Sequence, residues 1–128
     1  MYELSVISHF SAAHQLRGYR GKCEELHGHN YRVEVKVRAR ELDELGLAVD
    51  FNVLKERTEA VLETWDHKFL NRIPPFDRKN PSAENLAGEL FHRLSASLKS
   101  ALVKVAAVTV WESETASATY CQRAVRRK

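Results

Sequence analysis

The sequence predicts an α+β domain: a four-stranded antiparallel sheet with two helices on one face, in the order strand, strand, helix, helix, strand, strand. Three observations predict it. Tyr31, Val33, Val35, Val37 and Ala39 alternate with Arg32, Glu34, Lys36, Arg38 and Arg40 over ten residues, the period of a half-buried strand. Leu86, Leu90, Leu94 and Leu98 recur at every fourth position, the stripe of a helix that turns one side to a core. From Val103 onward the alternation returns, so the helical region is bracketed by strands.

Each element has its own signal. Tyr2, Leu4, Val6 and Phe10 set against Glu3, Ser5 and His9 predict a first strand over residues 2–10. Residues 17–22, with Gly18 and Gly21 among basic side chains, predict a loop that carries Cys23 to the second strand. Residues 41–46 form a polar turn, and the apolar segment 47–51 ends at a helix start where Asp50 or Asn52 would cap. Leu54, Thr58, Val61, Leu62 and Trp65 then recur at three- and four-residue intervals. That helix is predicted to end near Asp66 and His67, ahead of the Pro74-Pro75 break.

The second helix opens in residues 80–85, capped by Asn80 or Ser82, with Pro81 in the first turn and Glu84 complementing the dipole. Its leucine stripe, widened by Ala87, Phe91 and Ala101, is core, and His92 beside it faces solvent. Ala106, Val108 and Val110 share one parity, which Glu112 continues. Residues 113–117 predict a hairpin turn and residues 118–123 a fourth strand, in which Cys121 packs as a small hydrophobe. Residues 126–128 form a basic, solvated tail. One sheet face lacks helices and the edges are free, so pairing with other copies of the chain is expected.

The chemistry gathers at residues 23–31. His27 and His29 are two apart at the start of a strand, so their imidazoles share a face, and by parity it is the apolar one. Neutral imidazoles on an apolar face require polar partners. A hydrogen-bonded core or surface role fits either histidine taken alone; a zinc ion would satisfy both, and a third ligand would leave one position open for chemistry. His14 follows the first strand, which would pair with the second as a hairpin, and completes a three-histidine site.

Cys23, four residues before His27, is a candidate nucleophile or base. His67 would sit at a helix C-terminus, where the dipole favours the imidazolium and Asp66 would orient the ring; a plain cap fits the same pattern. Glu112 fits either a solvated strand-end charge or a buried acceptor for a ligand edge with paired N–H donors.

The chain of 128 residues suits a single domain spanning 1–128. A net charge of +3 with both signs mixed along the chain demands no nucleic-acid partner, and suits an anionic small molecule. Two cysteines are too few for a disulfide scaffold. The first residues lack the pattern of a signal peptide, and nothing approaches the ~20 apolar residues of a membrane helix. A reducing, cytoplasmic setting without membrane association is expected.

The segments 10–14, 23–30, 49–51, Asp66-His67 with Leu70-Asn71, 80–85 and Glu112 together resemble the 6-pyruvoyl-tetrahydropterin synthase family, nearly end to end. The Cys-x-x-x-His-Gly-His spacing resembles the branch of bacterial 6-carboxytetrahydropterin synthases that serves queuosine (7-deazapurine) biosynthesis. The pyruvoyl synthases of animals have a longer gap there, and another branch carries glutamate in place of the cysteine. The resemblance implies the tunnelling fold, in which the sheets of several copies join into a barrel as trimers that pair into homohexamers, with active sites between subunits.

By position, the resemblance implies that His14, His27 and His29 hold zinc, Cys23 is the general base, Asp66 and His67 form a relay pair, and Glu112 anchors the pterin. The implied activity is a zinc-dependent carbon–carbon lyase. It would convert 7,8-dihydroneopterin triphosphate to 6-carboxy-5,6,7,8-tetrahydropterin, releasing acetaldehyde and triphosphate. Two other outcomes compete: formation of 6-pyruvoyl-tetrahydropterin, and a non-catalytic zinc-containing pterin-binding protein. The chain departs from the family at Ala83, where relatives usually carry a hydroxyl, and at Trp111, where a basic residue is frequent.

Overall fold

The alternation centred on Val33 runs further than the apolar residues alone indicate. The computed structural model describes residues 1–21, 24–98 and 102–122. Lys22, Cys23, Ala101, Arg123 and the basic run 126–128 lie outside the described residues. Strand β1 (Tyr2–His14) pairs antiparallel with β2 (His27–Ala39), in register from Tyr2 opposite Ala39 to His14 opposite His27. β1 therefore continues four residues past Phe10, through the small residues Ser11, Ala12 and Ala13. Ladder pairing with β2 holds that stretch extended where side-chain propensity is silent. His14 is the last residue of the strand rather than a residue beyond it.

Helix α1 (Phe51–Leu62) is capped by Asp50, whose carboxylate accepts from the Asn52 N–H. It stops one turn sooner than its apolar spacing predicts. The N–H groups of Thr64 and Trp65 donate to the carbonyls of Val61 and Leu62, three residues back, the tightening that closes a helix end. Trp65 keeps the helical spacing but reaches the core from a turn. It is fully buried, with its ring centroid 5.7 Å from Phe10 and 5.6 Å from Phe76.

His67 is five residues past the helix, in left-handed backbone (φ 59°). The helix dipole expected to favour its cation therefore ends before it, since that effect fades within the last turn.

A two-residue strand, β3 (Lys68–Phe69), lies parallel to β1 beside Ala12 and Ala13. The sheet thus has five strands in the order β3-β1-β2-β4-β5, with one parallel pair added to the four antiparallel strands expected. Two residues are too short to leave a periodic signal. Helix α2 (Ala83–Ser97) is capped by Ser82, which accepts from the Asn85 N–H, and buries Leu86, Leu90, Phe91 and Leu94. Both helices deliver leucines to the cluster formed by Val33, Val35, Val37, Val108 and Val110, each side chain contributing roughly 1.5–3 kcal/mol on burial. Gly88 admits α2 close to β5: a Cβ there would lie 3.4 Å from the Tyr120 ring.

Strands β4 (Val103–Ser113) and β5 (Ala116–Cys121) close the sheet through a Glu114-Thr115 turn, shorter than the one predicted. β4 breaks step twice. Val37 pairs with Val105 and Lys36 with Ala107, so Ala106, expected on the inward face, is an extra residue in a bulge. Trp111 pairs with Ser117 and Ser113 with Ala116, so Glu112 is the extra residue of a second. Bulges re-aim side chains and often flank sites. Cys121 is exposed at the end of β5, not packed. His92 is exposed as expected. Among the described residues no helix is long and apolar enough to cross a membrane.

Candidate metal centre and active site

The β1–β2 register sets His14 directly opposite His27, and His29 follows on the same face. Ring centroids lie 4.6 Å apart for His14 and His27, 5.0 Å for His14 and His29, and 4.8 Å for His27 and His29. One nitrogen from each ring lies within 4.8 Å of the others. His14 is buried and its two partners half-buried, so the cluster faces the core side of the sheet as the parity predicts.

The protons on two of these rings, His14 and His27, are fixed by their outer partners. His14 Nδ1 lies 2.7 Å from the Pro81 carbonyl, and His27 Nδ1 lies 2.9 Å from the Glu25 carbonyl. A carbonyl only accepts, so both Nδ1 atoms carry the hydrogen and both Nε2 atoms of the neutral rings are acceptors. Those two Nε2 atoms are 3.0 Å apart, a separation that two lone pairs do not hold unaided. His29 Nε2 is buried and has no hydrogen-bond partner. A proton between His14 and His27 would satisfy two of the three nitrogens; a divalent cation satisfies all three.

Outer N–H groups donating to carbonyls are the usual support of metal-ligating imidazoles. The cluster can hold a metal ion, and an imidazole set suits zinc among first-row ions. Burial lowers the His29 pKa; the Glu112 charge opposes this and the neighbouring rings of His14 and His27 add to it. The neutral ring is the form that ligates.

Tyr31 and two carboxylates complete the surroundings. The Tyr31 hydroxyl is 3.2 Å from His14 Nδ1, and its ring stacks on Phe10 at 4.6 Å. Burial pushes the Tyr31 phenol far above its ordinary value, and the charges of Glu112 and Glu24 push it further. Glu112 is half-buried at its bulge, close enough to act electrostatically on both His29 and Tyr31.

Glu24 was not singled out by the sequence, yet its carboxylate lies 4.0 Å from His27 Nε2 and accepts from the Leu16 N–H at 3.2 Å. Its position next to Cys23 was the available signal. Cys23 itself lies outside the described residues.

Asp66 and His67 are brought to β1 from its outer edge. The Asp66 carboxylate accepts from the Ser11 N–H at 2.9 Å and lies 3.1 Å from His67 Nδ1, while the His67 N–H donates to the Ser11 carbonyl at 2.6 Å. The Ser11 N–H, helped by His67, holds the Asp66 carboxyl below the usual range. Among the described residues no hydrogen bond joins this pair to the three imidazoles. His67 and His29 do border one open hollow of about 500 Å³, shared with Ser11, Ala13, Asn30 and Phe69.

Fold and cluster together define a class: a small α+β domain whose first hairpin presents three convergent imidazoles able to hold a metal ion. Residues 3–123 match the family described as 6-pyruvoyl tetrahydropterin synthase, and the chain belongs to that family. It is 34% identical over 125 residues to the 6-carboxy-5,6,7,8-tetrahydropterin synthase of Bacillus subtilis (strain 168), covering 94% of this chain and 83% of that protein. It is 33% identical over 111 residues to the protein of the same name from Rickettsia bellii, covering 70% of this chain and 80% of that one. The 6-pyruvoyl tetrahydropterin synthase of Caenorhabditis elegans superposes with a TM-score of 0.81 at 26% identity, covering 95% of this chain and 96% of that chain.

Proposed function

We propose that the chain is a zinc-dependent carbon–carbon lyase that converts 7,8-dihydroneopterin triphosphate, with one water, to 6-carboxy-5,6,7,8-tetrahydropterin, acetaldehyde and triphosphate. It would act in the cytoplasm, in queuosine biosynthesis, with residues 1–128 as one domain. The observation that carries this is the pair of acceptor nitrogens of His14 and His27, 3.0 Å apart beside the unpartnered His29 Nε2, in a chain whose relatives bear the 6-carboxytetrahydropterin synthase name.

His14, His27 and His29 would hold the ion, which when bound supplies Lewis-acid polarisation of the substrate's side-chain hydroxyls. Glu112 would accept from the pterin amino group and the adjacent ring N–H, a paired, charge-assisted contact that fixes the ring. Its place at a bulge, near enough to act electrostatically on His29 and Tyr31, supports that role. Cys23 would remove the proton from the side-chain carbon as thiolate, its pKa lowered from ~8.5 by nearby positive charge. Asp66 would orient His67 to take up or return a proton, and the 3.1 Å contact between them supports the pairing.

Self-association as trimers or hexamers would bring the Asp66–His67 pair of one copy to the cluster of another. Tyr2–Phe10 of β1 and the whole of β5 have sheet neighbours on one side only among the described residues, and such edges invite pairing.

The test is to incubate zinc-loaded protein with 7,8-dihydroneopterin triphosphate and identify the products by mass spectrometry. Carboxytetrahydropterin with acetaldehyde is the expected result. Pyruvoyl-tetrahydropterin would replace this reaction with that of the solved relative from C. elegans, and intact substrate bound to the protein would leave only a pterin-binding role.

A further inference from the structure

The edge of β1 continues beyond the strand's last residue. β3 covers it at Ala12 and Ala13, and two asparagine side chains take over at Gln15 and Arg17. Asn71 accepts from the Gln15 N–H at 2.9 Å and donates to the Gln15 carbonyl at 2.8 Å. Asn80 repeats the arrangement at Arg17, accepting at 2.8 Å and donating at 2.9 Å. A primary amide carries the same C=O and N–H as a peptide unit, so each asparagine supplies one rung of a ladder. Their targets are two residues apart, the spacing of groups on one strand edge. Arg17 reinforces the contact, its guanidinium donating to the Phe76 carbonyl at 2.6 Å.

Asn80 immediately precedes Pro81, and the Pro81 carbonyl is the acceptor that fixes the hydrogen on His14 Nδ1. Pro81 has no N–H with which to anchor itself. The segment is held instead by Asn80 on one side and by the Ser82 cap of α2 on the other, with Asn85 Nδ2 donating to the Asn80 carbonyl at 2.8 Å. We propose that Asn80 is a positioning residue for His14: by latching the 80–81 segment to Arg17, three residues past His14, it holds the Pro81 carbonyl on Nδ1 and keeps Nε2 turned toward His27. This rests on the metal-centre reading above.

Outer-shell partners of ligating imidazoles typically affect metal affinity 10- to 100-fold, so Asn80→Ala should weaken zinc binding by about 10-fold in competition with a chromogenic chelator. In metal-free protein, at a pH above the histidine range, its His14 imidazole nitrogen resonances should move from the Nδ1-protonated pattern toward mixed tautomers. Asn80→Asp keeps the acceptor for the Arg17 N–H and loses the donor, and should fall between; it carries both measurements should Asn80→Ala not fold. Asn71→Ala removes the other rung and is the control, expected to lower the melting temperature while zinc affinity stays at the wild-type value. Wild-type affinity and an unchanged tautomer in the Asn80 variants would overturn the proposal, as would an equal affinity loss in Asn71→Ala. Failure of the wild-type chain to bind zinc would overturn the metal centre instead, and the tautomer measurement does not depend on it.

Discussion

His14 and His27 face each other across the end of the first hairpin with their Nε2 atoms 3.0 Å apart, while the opposite nitrogen of each ring is committed to a backbone carbonyl. Strand register creates the pairing and the carbonyls of Pro81 and Glu25 choose the tautomers. The two lone pairs that result need a cation between them, and His29 supplies a third.

Replacing Glu112 with glutamine tests the pterin anchor. The substitution keeps the size but puts an amide N–H toward ligand N–H groups and removes the charge. Hydrogen bonds to charged groups are worth roughly 1.5–3 kcal/mol, so kcat/KM should fall about 10- to 100-fold. Metal content should not change, because Glu112 lies beside the cluster rather than in it. Wild-type kinetics in Glu112→Gln would remove the residue from the site.

Cys23→Ala should abolish turnover and leave zinc content and melting temperature at wild-type values, since the three imidazoles do not require the thiol. A variant that turns over normally would exclude Cys23 as the base, and Glu24, with its carboxylate 4.0 Å from His27 Nε2, would be the next group to replace.

The Asp66–Ser11 contact makes a pH prediction. The folded-state pKa of Asp66 is held down by the Ser11 N–H and His67, so it lies below the unfolded value of ~3.9. A depressed carboxylate stabilises the fold above its unfolded pKa, and that contribution is lost as pH falls through the lower folded value. Wild type should therefore melt above Asp66→Asn at neutral pH, by a modest margin because the side chain is partly exposed. The gap should narrow below about pH 4 and close under the folded pKa. A gap that persists unchanged at low pH would show that the Asp66 charge is not its source, and no gap at neutral pH would show that Asn serves Ser11 equally well.

The sheet and helices were legible because they rest on periodic burial: Tyr31 to Ala39 and the leucines of α2 fall where spacing puts them. The inward parity of His27 and His29 was legible for the same reason. What spacing does not encode is hydrogen bonding to groups distant in sequence. β3 exists because Lys68 and Phe69 meet Ala12 and Ala13 across 56 positions, and His67, past the helix, is tied to β1 by its N–H bond to the Ser11 carbonyl. Trp65 kept a helical interval while lying in a turn, since the core constrains where a ring arrives and not how the backbone delivers it. The bulges at Ala106 and Glu112 depend on strand partners, so parity along β4 alone did not reveal them. Asn80 and Ser82 both fitted the helix cap in the sequence, and only the fold decides that Ser82 caps α2 while Asn80 pairs with Arg17.

The most direct test of the account is to measure bound divalent metal in purified wild-type protein and in His27→Ala by elemental analysis, each with a thermal melt before and after chelation. The account predicts about one ion per wild-type chain and almost none in the variant. At free metal about 100-fold over Kd, binding should stabilise the wild type by ~2.7 kcal/mol, and chelation should remove that increment. A wild-type chain without metal, or a His27→Ala variant that binds it equally well, would contradict the three-imidazole centre on which the proposed chemistry depends.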